Sequence, residues 1–96
     1  MALAPQKPEG FILAGMVYEQ RGQLDRAIQV FDQAGRVAPD NALPLILRGM
    51  ALERAGRTAA AEESYNEALK RQPGDARAQK LLDNVILYND PERYPT

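Results

Sequence analysis

Ninety-six residues with a net charge of −1, no cysteine and no histidine exclude several classes of function. There is no disulfide framework and no thiolate or imidazole metal site. The charge balance gives no general attraction to nucleic acid or to an anionic membrane.

A chain of this length makes one small domain, which buries about 60–65% of its unfolded surface and so has a thin core. No apolar run approaches the roughly 20 residues of a membrane span. The start, Met1-Ala-Leu-Ala-Pro-Gln-Lys-Pro8, lacks a basic region and a long enough apolar stretch for a signal peptide. The default compartment is therefore cytoplasmic, although a fragment of a longer exported or anchored protein would read the same.

Residues 1–7 read as a flexible arm. Pro8 suits a first helical turn, where its missing N–H is not needed. A first helix is predicted over about 8–21, ending near Gly22. A second spans about 24–37 and stops before Pro39, which restricts the residue ahead of it. Asp40 or Asn41 is the expected cap of a third helix over about 42–55, with Pro44 in its first turn and Gly56 at its end. Thr58 is the candidate cap of a fourth over about 59–71, whose Lys70 and Arg71 complement the helix dipole. Pro73-Gly74 breaks the chain, and Asp75 caps a fifth helix over about 76–89. Asn89-Asp90-Pro91 ends it and leaves a tail over 90–96. Five helices with short connections and no strand signal predict an all-α antiparallel stack.

The helices repeat. Phe11, Gly15, Tyr18, Gly22, Ala27, Phe31, Ala34 and Pro39 return as Leu45, Gly49, Leu52, Gly56, Ala61, Tyr65, Ala68 and Pro73, each 34 positions on. A fixed period of this length marks stacked supersecondary units. Small residues return as small and large apolar ones as large apolar, which is a packing code rather than a reaction centre. Gly15 and Gly49 lie inside helices at a cost of about 1 kcal/mol each relative to Ala. The expected reason is close approach of a neighbouring helix, with Ala27, Ala34, Ala61 and Ala68 as the matching small surfaces.

The pattern Phe11-x-x-Ala14-Gly15-x-x-Tyr18, Ala27-x-x-x-Phe31, Pro39, followed by Leu45-x-x-Arg48-Gly49-x-x-Leu52, Ala61-x-x-x-Tyr65, Pro73, resembles the tetratricopeptide repeat. The resemblance implies an α-solenoid fragment: one repeat over 8–41, a second over 42–75 and a capping helix over 76–89. Leu45 and Leu52 stand where aromatics are usual and Arg48 where Leu is usual. Arg48 is expected to lie along apolar surface with its guanidinium in water.

Ile12-x-x-x-Met16-x-x-Glu19 and Ile46-x-x-x-Met50-x-x-Glu53 form a second stripe on the first helix of each repeat. In tetratricopeptide proteins these positions line a concave groove. The resemblance thus implies a groove floored by Ile12, Met16, Ile46 and Met50. Glu19 and Glu53 edge it, Glu9 and Leu43 lie one turn earlier, and Arg77, Lys80 and Asn84 are the equivalents on the fifth helix. Methionine suits varied apolar partners, so a peptide or amphipathic helix is the expected ligand, with a basic flank to match the acids. The competing reading is a structural or oligomerisation module, a homodimer or a fragment of a longer solenoid, in which the same stripe is self-covered.

Some family members grip a chaperone's C-terminal carboxylate through Lys, Asn and Arg. The matching positions here are Ile12, Met16, Met50, Lys80 and Asn84, of which only Lys80 fits. The fifth helix reads as apolar almost all round, and Ile86, Leu87, Tyr88 and the tail's Tyr94 form a candidate homodimer patch. No catalytic set, metal site or cofactor motif appears. Glu62-Glu63 point to different sides of a helix, and the arginines at 21, 26, 54 and 57 lack an aromatic stacking array for RNA.

Overall fold

The computed structural model describes residues 7–93, so most of the expected arm and Tyr94 lie outside the described residues. Five helices follow in order: α1 (Pro8–Gln20), α2 (Leu24–Val37), α3 (Leu43–Arg54), α4 (Thr58–Arg71) and α5 (Ala76–Asn89), then a 3-10 turn at Pro91–Arg93. Each helix packs on the next, α1 also touches α3, and no strand occurs among the described residues.

The helix ends are written locally. Gly22 and Gly56 adopt φ of 76° and 79°, a region that only glycine enters freely. The Gly22 N–H donates to the Glu19 carbonyl at 3.0 Å and the Gln23 N–H to the Tyr18 carbonyl at 2.8 Å. One repeat later Gly56 donates to Glu53 at 2.9 Å and Arg57 to Leu52 at 2.8 Å. These are two copies of one Schellman stop. Asp75 accepts the Ala78 N–H at 2.9 Å and caps α5 as expected. Asn41, not Asp40, accepts at the start of α3, from the Leu43 N–H at 3.0 Å.

Thr58 does not cap α4. Arg57 holds the flanking position, and no side chain bonds there. The glycine stop ends on Arg57, whose carbonyl already accepts the Ala61 N–H at 3.0 Å. The chain therefore enters the helix one residue before Thr58 can act.

The core follows the repeated code, with one correction to it. Ala27, Phe31, Ala34, Ala61, Tyr65 and Ala68 are fully buried. What approaches Gly15 is the Phe31 ring, and what approaches Gly49 is the Tyr65 ring; a Cβ at either glycine would overlap ring carbons. The glycine of the first helix is thus a seat for the aromatic of the second, rather than a partner of the alanines. Polar groups bind the repeats further. The buried Ser64 hydroxyl donates to the Leu45 carbonyl at 2.8 Å. Arg71 Nη1 donates to the Gly35 carbonyl at 2.8 Å and reaches those of Ala38 and Asn41 at 3.2 and 3.4 Å. Its charge therefore serves the C-terminus of α2 as well as its own helix. Arg48 departs from expectation. Its side chain is two-thirds buried, its Nη1 lies 3.9 Å from Asp32, and its Nε is buried with no hydrogen bond among the described residues.

Candidate functional site

The first helices α1, α3 and α5 occupy equivalent places in successive units, so residues 34 apart share a face. Met16 and Met50 are both exposed, by 45% and 37%. Glu9, Arg77, Lys80 and Asn84 are exposed as well, and Ile12 and Leu43 are half-buried. Ile46 is the exception, because it is fully buried among Ala42, Leu45, Ala68 and Ala78. Ala68 belongs to α4 and Ala78 to α5, so the helices that follow α3 share one core cluster with Ile46 and leave it no exposed surface.

The two glutamates of the expected acid edge are held by the protein itself. Arg54 Nη1 lies 3.1 Å from Glu19 Oε2, and the Glu19 side chain is only 16% exposed. Glu53 accepts the O–H of Tyr65. Burial above all, then this hydrogen bond and the Glu53 charge, push the Tyr65 phenol well above its ordinary pKa, so it stays a donor. Phe31 occupies the same place in the first repeat and has no hydroxyl to offer Glu19. The open charges of the face are therefore Glu9 on α1 and Arg77 and Lys80 on α5.

A cavity of about 350 Å³ opens between the end of α3 and α5, lined by Glu53, Gly56, Thr58, Asn84 and Tyr88. Tyr88 was expected in a dimer patch, yet it stands 34 positions after Arg54 and shares this cavity with Glu53 and Asn84. The repeat spacing carried that signal for both residues. Of the other patch members, Ile86 is half-buried against Leu52, Ala61, Tyr65, Leu82 and Val85. Leu87 and Tyr88 are exposed, and Tyr94 lies outside the described residues. Asn89 Nδ2 donates to the Thr58 carbonyl at 3.2 Å and to Glu62 at 3.3 Å, fastening the end of α5 to the start of α4.

Among the described residues no three carboxylates gather as a metal site. No described helix is long and apolar enough to cross a membrane.

Residues 12–76 match the family model described as the tetratricopeptide repeat. Among solved structures, the chain is similar to the first TPR of Spaghetti (RPAP3) bound to the HSP90 peptide SRMEEVD. The TM-score is 0.84 at 21% identity, over 95% of this chain and 72% of that one. It is also similar to the TPR2B domain of yeast Sti1 in its pHsp70 complex, with a TM-score of 0.82 at 20% identity over 90% and 69% of the two chains. At such identities the likeness speaks to the fold. No curated protein matches the chain significantly.

Proposed function

Because the chain belongs to the tetratricopeptide repeat family, we propose that it is a non-catalytic protein-interaction module whose first helices take up a peptide. The observation that carries this reading is the exposed pair Met16 and Met50, one per repeat on one face. Exposed methionines at a fixed spacing offer flexible, polarisable seats for two apolar anchors of a peptide or amphipathic helix. Both structural neighbours were solved with chaperone-derived partners, which supports peptide binding in general. The neighbour's acidic tail peptide is not the ligand inferred here, since Ile12, Met16 and Met50 cannot grip a carboxylate. Glu9 at one end and Arg77 with Lys80 at the other favour a peptide that is basic towards α1 and acidic towards α5.

The test is selection from a displayed library of random dodecapeptides, with SRMEEVD as a negative control. The expected result is enrichment of peptides with two apolar anchors. Binding of these should fall at least about tenfold in the double variant Met16→Glu, Met50→Glu, with helical circular dichroism retained. Equal enrichment on the wild type and the double variant would sink the proposal.

A further inference from the structure

Leu13 and Val17 return 34 residues on as Leu47 and Ala51, and again as Leu81 and Val85. The second and third couplets are covered. Ala51 is 0% exposed and packs on Ala27 and Phe31 of α2, with Leu47 alongside. Val85 is 1% exposed and packs with Ala61 and Tyr65 of α4, with Leu81 alongside. Each second helix thus lays an Ala-x-x-x-aromatic face on the first helix that follows it. Before α1 no such helix stands among the described residues, and Leu13 and Val17 are 64% and 45% exposed. Around the helix this face runs into a cavity of about 470 Å³ walled by Lys7, Gly10, Phe11, Ala14, Tyr18 and Val30. Ala14 stands where α3 has the long Arg48 and α5 the buried Leu82, so α1 alone has nothing of its own to fill this place.

We propose that this outer face of α1 docks an amphipathic helix from another protein, one that repeats the Ala-x-x-x-aromatic pattern of α2 and α4 and sends a bulky apolar side chain into the cavity beside Ala14. The proposal is independent of the concave groove, which lies on the Met16 side of the helix. Its warrant is continuity, since the α2–α3 and α4–α5 interfaces both continue onto the same register of α1. A second folded copy has no such helix to give, because its α2 lies between α1 and α3 and its α4 between α3 and α5. Lys7 and Arg21, both exposed at the two ends of the face, call for acidic residues on the incoming helix.

The probe is a lactam-stabilised peptide with the sequence of residues 58–71, which has the required Ala61-x-x-x-Tyr65 and three glutamates. It is titrated into the full ¹⁵N-labelled chain. Saturable shift changes at Gly10, Ala14 and Val17 are expected. Val17→Glu and, separately, the cavity-filling Ala14→Met should each weaken binding about tenfold or more, while Met16→Glu leaves it unchanged. Absence of saturable binding overturns the proposal. So does binding lost in Met16→Glu but kept in Val17→Glu, which assigns the peptide to the groove. Shift changes confined to α3 and α5 mean the peptide displaces α4, and also overturn it. Self-association of the chain alone that Val17→Glu abolishes gives the face to a second copy and rejects the partner helix.

Discussion

Helices α1 and α5 stand first and last among the described helices, and their outer faces differ. Both are first helices of the repeat, and both carry the Leu-x-x-x-Val couplet. In α5 the couplet is used against α4, and the free side has been made polar. Gln79 and Asp83 stand where α1 has Phe11 and Gly15 and where α3 has Leu45 and Gly49. Gln79 Nε2 donates to Asp83 Oδ1 at 2.9 Å, so the seat for an aromatic ring has become a hydrogen-bonded polar pair. In α1 that seat is filled by Phe31, and the couplet is what stays open. A solenoid end normally turns a polar face outward. Among the described residues α5 does so, whereas α1 presents the apolar Leu13 and Val17. The expectation that α5 is apolar almost all round is corrected by the same contrast. Leu82 and Val85 are buried and Leu81 and Ile86 half-buried, leaving Leu87 and Tyr88 exposed, Tyr88 beside the cavity shared with Glu53 and Asn84.

The most severe way to break this contrast is to place the capping residue in mid-array. Gly49→Asp puts a carboxylate into the Tyr65 ring. Overpacking and an unpaired buried charge should together cost about 4 kcal/mol or more. Loss of cooperative thermal unfolding by circular dichroism is the expected result, and a melting curve like wild type would refute the ring-seat account. The reverse exchange, Gln79→Phe with Asp83→Gly, turns α5 into a helix with an empty seat. It should cost about 1 kcal/mol for the helical glycine and produce concentration-dependent association in sedimentation velocity. A variant that stays monomeric at every concentration would show that the polar pair is not what closes this end.

The smallest effect sharpens the comparison between the two repeats. Tyr65→Phe makes the second repeat resemble the first and removes the donor to Glu53, at a cost of about 1 kcal/mol near neutral pH. The pH dependence has a definite sign. The folded-state pKa of Tyr65 lies above its ordinary value of 10.0, so the folded chain holds this proton more tightly than the unfolded chain. The stability linked to it is complete below about pH 10 and is lost as the pH rises beyond that. Urea midpoints at pH 9 and pH 11 should therefore fall more for wild type than for Tyr65→Phe. Equal falls would place the phenol outside the core.

Much of the architecture was legible because it is local. A Gly at the end of a helix states its own turn, as Gly22 and Gly56 do. The close approach at Gly15 and Gly49 was legible too, but alanines were expected there, and it is the Phe31 and Tyr65 rings that sit against them. The face of the proposed groove was harder to read, since the surroundings of its residues are set across repeats. Ile12 and Ile46 are the same residue at the same point of the same pattern, and one is half-buried while the other is sealed. Glu19 and Glu53 likewise match, yet one is held by an arginine of the next repeat and the other by a tyrosine of its own.

The sequence by itself determined the repeat and the glycine and proline stops of its helices, because helical periodicity ties these to short spans of chain; the ring seated on each glycine and the entry into α4 came from the tertiary structure. Only the tertiary structure decided which flank of each first helix is covered. That depends on whether another helix stands beside it, and a helix's own residues do not carry that information. α3 has neighbours on both flanks and buries Ile46 and Ala51, whereas among the described residues α1 is covered on a single flank and leaves Leu13 and Val17 in the open.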